Sequence, residues 1–210
     1  ASVAFLSFTD FVLRFPKREV TNYAQVWNMP SLSAFTVCFW MKSSGKKEGV
    51  PFSYAVPVQE NELLLANYKD FALRIGGEKK KTGISANDGK WHAICVTWNN
   101  DDGTYQFFKD GAMEKQETDF KKGYTIKAGG SLVLGQDQDE VCGGFEEDQS
   151  FEGNLARVNV WSYVLPKDAI IACSESCSSN LGIRGDVYKW SDFIYGVKGC
   201  AAFEIPSSCV

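Results

Sequence analysis

Histidine is nearly absent from this sequence, with one in 210 residues, and the seven cysteines are scattered rather than set in C-x-x-C pairs. A structural zinc knuckle is thereby excluded, and a zinc enzyme would lack its usual nitrogen ligands. No apolar run reaches the roughly eighteen residues that a membrane-spanning helix needs. There is no N-x-S/T sequon, so N-glycosylation is not expected. No excess of basic residues exists either: the formal net charge is −4, which leaves no global field to hold nucleic acid, although "GGEKKKTG" at 76 to 83 is locally basic. Internal repeats, low-complexity segments and Pro/Gly/Ser-rich linkers are missing, and residues 1–210 read as a single domain. The first residues, "ASVAFLSFTDF", have no basic segment ahead of their apolar ones and read as the start of a mature secreted chain. Scattered cysteines fit disulfides in an oxidising compartment, and the odd count leaves at least one thiol free or bridging between chains.

What is present is a cadence of short β-branched and aromatic runs. "AFTVCFWMKS" (34 to 43), "ENELLLANY" (60 to 68), "DFALRIGG" (70 to 77), "KWHAICVTW" (90 to 98) and "TYQFFKDG" (104 to 111) each end at turn residues. "GGSLVLGQ" and "NLARVNVWSYVL" continue it, the latter with Leu155, Arg157, Asn159 and Trp161 alternating against Ala156, Val158, Val160 and Ser162. One helix is expected in "LPKDAIIACSES", with Pro166 as its first residue and Ile170, Ile171 and Cys173 on its apolar side. "DVYKWSDFIYGVKGCAAFEIP" reads as resumed strand. The fold expected is all-β: an antiparallel sandwich of two sheets with one short helix.

The densest charge lies in "GQDQDEVCGGFEEDQSF", Gly135 to Phe151. Calcium takes about six to eight oxygen ligands from carboxylates, amides and carbonyls at roughly 2.3 to 2.6 Å. This stretch offers that mixture: Asp137 and Asp139 alternate about the Gln138 carbonyl, and the Gly143-Gly144 turn brings Glu146 and Gln149 back toward them. It lacks the spacing of an EF-hand. A solvated acidic loop is the bland alternative. A jelly-roll glycosidase, with paired carboxylates about 5 to 9.5 Å apart, is a further one.

"WHAICVTW", with His92, Cys95, Thr97 and Trp98, resembles the signature of the pentraxins, and "AFTVCFW", "KKGYTI", "LGQDQD" and "VNVWSYVLP" join it in the family's order. The resemblance runs from about Phe11 to Pro206. It points to a short pentraxin of the C-reactive protein and serum amyloid P type, most similar to an invertebrate member. Such a resemblance implies a flattened jelly roll of the concanavalin-like kind, with its helix on one face, two adjacent Ca²⁺ on the other, and cyclic homo-oligomers that display many calcium faces together, in a single ring or stacked rings. It implies no enzymatic activity. The first calcium would take Glu60, Asn61, Asp137, Asp139 and the carbonyl of Gln138; the second would share Asp137 and Asp139 and add Glu146 and Gln149. Two departures stand out: the family has Asp at the position of Glu60 and Glu at the position of Asp137.

The function implied is a secreted, extracellular, calcium-dependent pattern-recognition lectin of innate immunity. Its ligand pocket would include Ala66, Arg74 and Lys79. Where phosphocholine-binding members carry an aromatic and an acid, this chain has Ala66 and, near the second place, Lys79. Phosphoethanolamine-like, anionic or carbohydrate ligands on microbial or damaged-cell surfaces therefore fit better than phosphocholine, and Arg74 and Lys79 to Lys81, read as a hairpin turn, can meet further anions. A laminin-G-like adhesion domain binding a protein receptor shares the "WH-x-I-x-V-T-W" cadence and is the second reading. The resemblance also pairs Cys38 with Cys95. Bridges are expected between Cys173 or Cys177 and Cys200 or Cys209, with Cys142 left over. His92 has no cysteine, serine or acidic partner at motif spacing and reads as structural.

Overall fold

The computed structural model describes residues 11–175 and 183–204. It is a sandwich of two seven-stranded antiparallel sheets. The first sheet runs in the order β10 (Ala112–Glu117), β9 (Tyr105–Lys109), β8 (Trp91–Asn99), β3 (Ala34–Lys42), β12 (Gly153–Trp161), β1 (Val12–Phe15) and β14 (Ala202–Glu204). The second runs β13 (Val197–Lys198), β2 (Tyr23–Trp27), β11 (Ser131–Leu134), β4 (Phe52–Val56), β5 (Gln59–Ala66), β6 (Ala72–Ile75) and β7 (Glu78–Lys81).

Period-two alternation decides which side chains meet between the sheets. In β3, Phe35, Val37, Phe39 and Met41 enter the main core, as do Ile94, Val96 and Trp98 of β8. Their alternates Cys38 and Cys95 are register partners on the outer face and form a disulfide. Over that disulfide lies the helix α1 (Lys167–Ser174), burying Ile170 in a second cluster with Phe108, Trp161 and Leu165. Pro166, expected as the first helical residue, is the N-cap with an extended ψ of 152°, so the helix begins one residue later, at Lys167.

Two expectations fail on backbone geometry. In β12 the pairing with β3 shifts between Ala156 and Asn159, and Arg157 has a φ of +53°. This bulge reverses the parity, so Leu155 and then Val158 and Val160 reach the core, which strict alternation forbids. The segment after Tyr188 is not continuous strand: Trp190–Gly196 is a 3₁₀ helix, begun where the Lys189 N–H donates to Asp192 Oδ2 at 3.0 Å. A three-residue turn stacks positions i and i+3, and Trp190 and Phe193 use that spacing to fill the core.

The second sheet sends Val26, Leu132, Leu134, Phe52, Tyr54, Leu63, Leu65, Leu73 and Ile75 inward. Its outer face is therefore built from their alternates. One rung crosses that face through Gln25, Val133, Ser53, Leu64, Arg74 and Lys79. Lys79 to Lys81 belong to the edge strand β7, whereas the turn lies at Gly76 and Gly77, both with positive φ. Helix and rung thus occupy opposite outer faces of the sandwich.

Candidate metal centre and ligand face

Between β11 and β12 the acidic segment leaves at Gly135, with φ of +94°, and folds across the outer face of the second sheet. Two fully buried glutamines fasten it there. Gln136 Nε2 donates to the carbonyls of Glu19 and Asn22, each at 2.8 Å, and its Oε1 accepts from Ser150 Oγ at 2.9 Å. Gln138 Nε2 donates to the carbonyls of Ser53 (2.8 Å) and Ser131 (3.0 Å), while its Oε1 accepts from the Cys142 N–H at 2.8 Å. With its side chain committed to the protein, Gln138 has only its main-chain carbonyl to offer a cation. Asp137 and Asp139, the alternates, are partly covered and exposed respectively.

The turn itself is tighter than the glycine pair suggests. Gly143 N–H donates to the Glu140 carbonyl at 3.1 Å, and Cys142 takes a left-handed φ of +55°. Its thiol donates to Gln25 Oε1 on β2, and burial pushes that thiol upward, which keeps it protonated and unreactive. Phe145 packs edge-on against Tyr23 with ring centres 5.0 Å apart. Arg18 closes the far end, donating to the carbonyls of Glu48 and Asp148.

Electrostatics draws Asp137, Asp139, Glu60 and Arg74 into one neighbourhood. Burial, then the charge of Asp139, raises Asp137 from 3.8 to about 6; Glu60 raises it further, opposed by the Gln138 N–H and by Arg74. The Gln138 N–H donates to Asp137 Oδ1 at 3.0 Å. Asn61 Nδ2 reaches Glu60 Oε1 at 3.5 Å, and both sit at the start of β5. Gln149 Oε1 is buried without a hydrogen-bond partner. Glu146 is exposed, as are Glu140, Glu147 and Asp148. Among the described residues no three His, Cys, Asp or Glu side chains converge closely enough to hold a metal ion by themselves. A cation here would also need amide and carbonyl oxygens. The available donors are all oxygen, a set suited to a hard ion such as Ca²⁺ and not to zinc.

The pocket residues share the outer face. Arg74 and Lys79 are direct register partners, and Ala66, two residues beyond Leu64, lies opposite Ala72, which in turn pairs with Lys81. Lys80 points the other way, toward Glu117 at 3.6 Å and the Phe120 ring.

Several residues escaped the sequence reading. Glu62, two positions from exposed Glu60 and of the same parity, is fully buried and accepts from Tyr124 Oη (2.8 Å) and the Lys127 N–H (2.6 Å). His92 does have acidic partners: Asp110 Oδ2 lies 2.7 Å from Nδ1 and Asp88 Oδ1 2.9 Å from Nε2. Both acids stand at turns beside β8, so the imidazole straps two turns together. Cys173 and Cys200 carry free thiols, so no bridge joins them, and Cys177 and Cys209 lie outside the described residues.

Residues 11–204 match the Pentaxin family. Human neuronal pentraxin-1 is 40% identical over 193 residues, 89% of this chain and 44% of that protein. The rat "Sushi, von Willebrand factor type A, EGF and pentraxin domain-containing protein 1" is 39% identical over 174 residues, 81% of this chain and 5% of its own length. The chain spans less than half the length of the curated relatives it matches. Among solved structures, a native heptameric SAP-like pentraxin from Limulus polyphemus superposes with a TM-score of 0.79 at 24% identity, covering 98% of this chain and 95% of that one.

Proposed function

The chain belongs to the pentraxin (pentaxin) family, and from that premise we propose that it is a secreted, calcium-dependent pattern-recognition lectin of innate immunity, without catalytic activity. Two adjacent Ca²⁺ would be held by Glu60, Asn61, Asp137, Gln138, Asp139, Glu146 and Gln149. Calcium, when bound, supplies positive charge and open coordination positions for a phosphate or carboxylate; the chain's residues supply oxygen donors and orientation. Asp137 carries this reading. It is a half-buried carboxylate beside Asp139 and Glu60, with Arg74 the opposing charge that lowers it. The partnerless Gln149 oxygen supports it, because a buried acceptor without a donor is costly unless something electropositive reaches it.

Beside the metals, Ala66, Arg74 and Lys79 would form the ligand pocket. An alanine offers little apolar contact, and two cations repel a quaternary ammonium, so phosphoethanolamine-like, anionic or carbohydrate ligands are favoured over phosphocholine. Cyclic assembly would turn weak single sites into avid binding of repetitive surfaces, by roughly 10² to 10⁴ when geometry allows. The test is retention on phosphoethanolamine resin in calcium with release by chelator. Retention indifferent to chelator would refute the proposal.

A further inference from the structure

The outer face opposite the acidic segment carries a free thiol beside a disulfide. Cys173 lies in the last turn of α1 and packs against the small cluster that contains Cys38 and Cys95. Ala169 and Ile170 precede it by four and three residues, so all three line the side of the helix that faces the sheet.

Two hydrogen bonds fix how this segment lies. The Leu165 N–H, just ahead of the helix, donates to Thr36 Oγ1, and Trp40 Nε1–H donates to the Cys173 carbonyl, each at 2.9 Å. Thr36, Cys38 and Trp40 alternate along the outer face of β3, because Phe35, Val37, Phe39 and Met41 take the inner one. The chain from Leu165 to Cys173 therefore runs from one outer-face neighbour of Cys38 to the other and passes over the disulfide between them. Cys173 ends at Trp40, on the strand that carries Cys38, whereas Cys95 belongs to the next strand.

Burial pushes the Cys173 thiol up to about 11, which keeps it protonated at neutral pH. Its cover is slight: Ile170 is the one buried residue of α1, and no side chain caps the helix at its start. A thiol held silent only by a lightly anchored helix, with a disulfide packed beneath it, has its electrophile already in place.

We infer that Cys173 is the attacking thiol of an internal thiol–disulfide exchange that moves the Cys38–Cys95 bond and latches α1 to β3. The Cys173 thiolate forms a bond to Cys38 Sγ, the bond between Cys38 and Cys95 breaks, and Cys95 leaves as a thiolate that takes up the proton Cys173 released. One disulfide and one thiol enter and leave the step, so no oxidant or reductant is consumed. The sheet survives the exchange, because nine register pairs, from Ala34 with Asn99 to Lys42 with Trp91, join β3 and β8 apart from the disulfide. The helix face gains a covalent tie, and the acidic segment on the opposite face is not involved.

The test is disulfide mapping by mass spectrometry after incubation with iodoacetamide at about pH 7.5, 8.5 and 9.5. Thiolate is the attacking species, so the initial rate should rise about tenfold per pH unit across that range. The expected product is a peptide linking Cys38 to Cys173, with Cys95 alkylated. Ile170→Ala, which loosens α1, should speed its appearance, and Cys173→Ser should abolish the release of Cys95. A Cys38–Cys95 bond that stays intact at every pH while Cys173 is alkylated would overturn the exchange. So would a resting protein in which Cys173 is bridged to any other cysteine, release of Cys95 in the Cys173→Ser protein, or a rate that grows with protein concentration, which would mark exchange between molecules.

Discussion

Asp137 combines burial with two like-charged neighbours, and the sign of its effect should reverse with calcium. In chelator its ionised form burdens the fold; in the proposed site it would be the shared ligand of both ions. Asp137→Asn should therefore raise the melting temperature in chelator and abolish most of the rise that calcium gives the unaltered protein. The pH dependence follows the same logic. The folded-state value, about 6, lies above the ordinary 3.8, so the folded protein takes up a proton before the unfolded chain does. Calcium-depleted protein should thus become more stable as pH falls from about 7.5 to about 5, the gain setting in near the folded value of about 6, growing toward pH 5, and absent in Asp137→Asn. Thermal melts across that range check it, and a uniform loss of stability on acidification would count against it. At this scale the sequence discloses the oxygen-rich mixture but not its division of labour. Glu60 and Glu62 are the same residue type two positions apart, and only Tyr124 and Lys127, some sixty positions away, make one of them a buried structural anchor. Gln136 and Gln138 look like any polar residue in an acidic run until four main-chain carbonyls, of Glu19, Asn22, Ser53 and Ser131, are seen to receive their amides.

Among elements, the acidic segment is secured most firmly by Gln138. Replacing it with leucine leaves the Ser53 and Ser131 carbonyls and the Cys142 N–H without their partner, which should cost on the order of 1–3 kcal/mol in urea denaturation. The same variant should be nicked faster by protease within 135 to 151 when calcium is absent. Helix α1 rests on a smaller cluster, and Ile170→Ala should destabilise by about 2–5 kcal/mol while leaving calcium binding on the opposite face intact. Strands with clear alternation, such as β3 and β8, are legible from their residues because one face must be apolar. The bulge at Arg157 and the 3₁₀ turn at Trp190 are not, since each changes the side-chain period within a segment whose composition still reads as strand. Lys79 to Lys81 mislead for a related reason: a charged edge strand and a solvated turn have the same composition, and edge strands favour lysine.

For the whole molecule, the consequential arrangement is that the helix and the acidic segment cover opposite outer faces, so the proposed ring would form through the remaining flanks of the sandwich. Cyclic assembly predicts sedimentation at a mass several times the 23.3 kDa of one chain. A monomer with and without calcium would favour the adhesion reading instead. The sandwich and its family are readable from sequence; the proposed ring and ligand would depend on surfaces that only many copies or a bound partner complete. Calcium titration of the purified protein by calorimetry tests the central claim most directly. The proposal predicts saturable binding of two Ca²⁺ per chain, lost or sharply weakened in Asp137→Asn; no calcium binding, or binding that Asp137→Asn leaves unchanged, would contradict it.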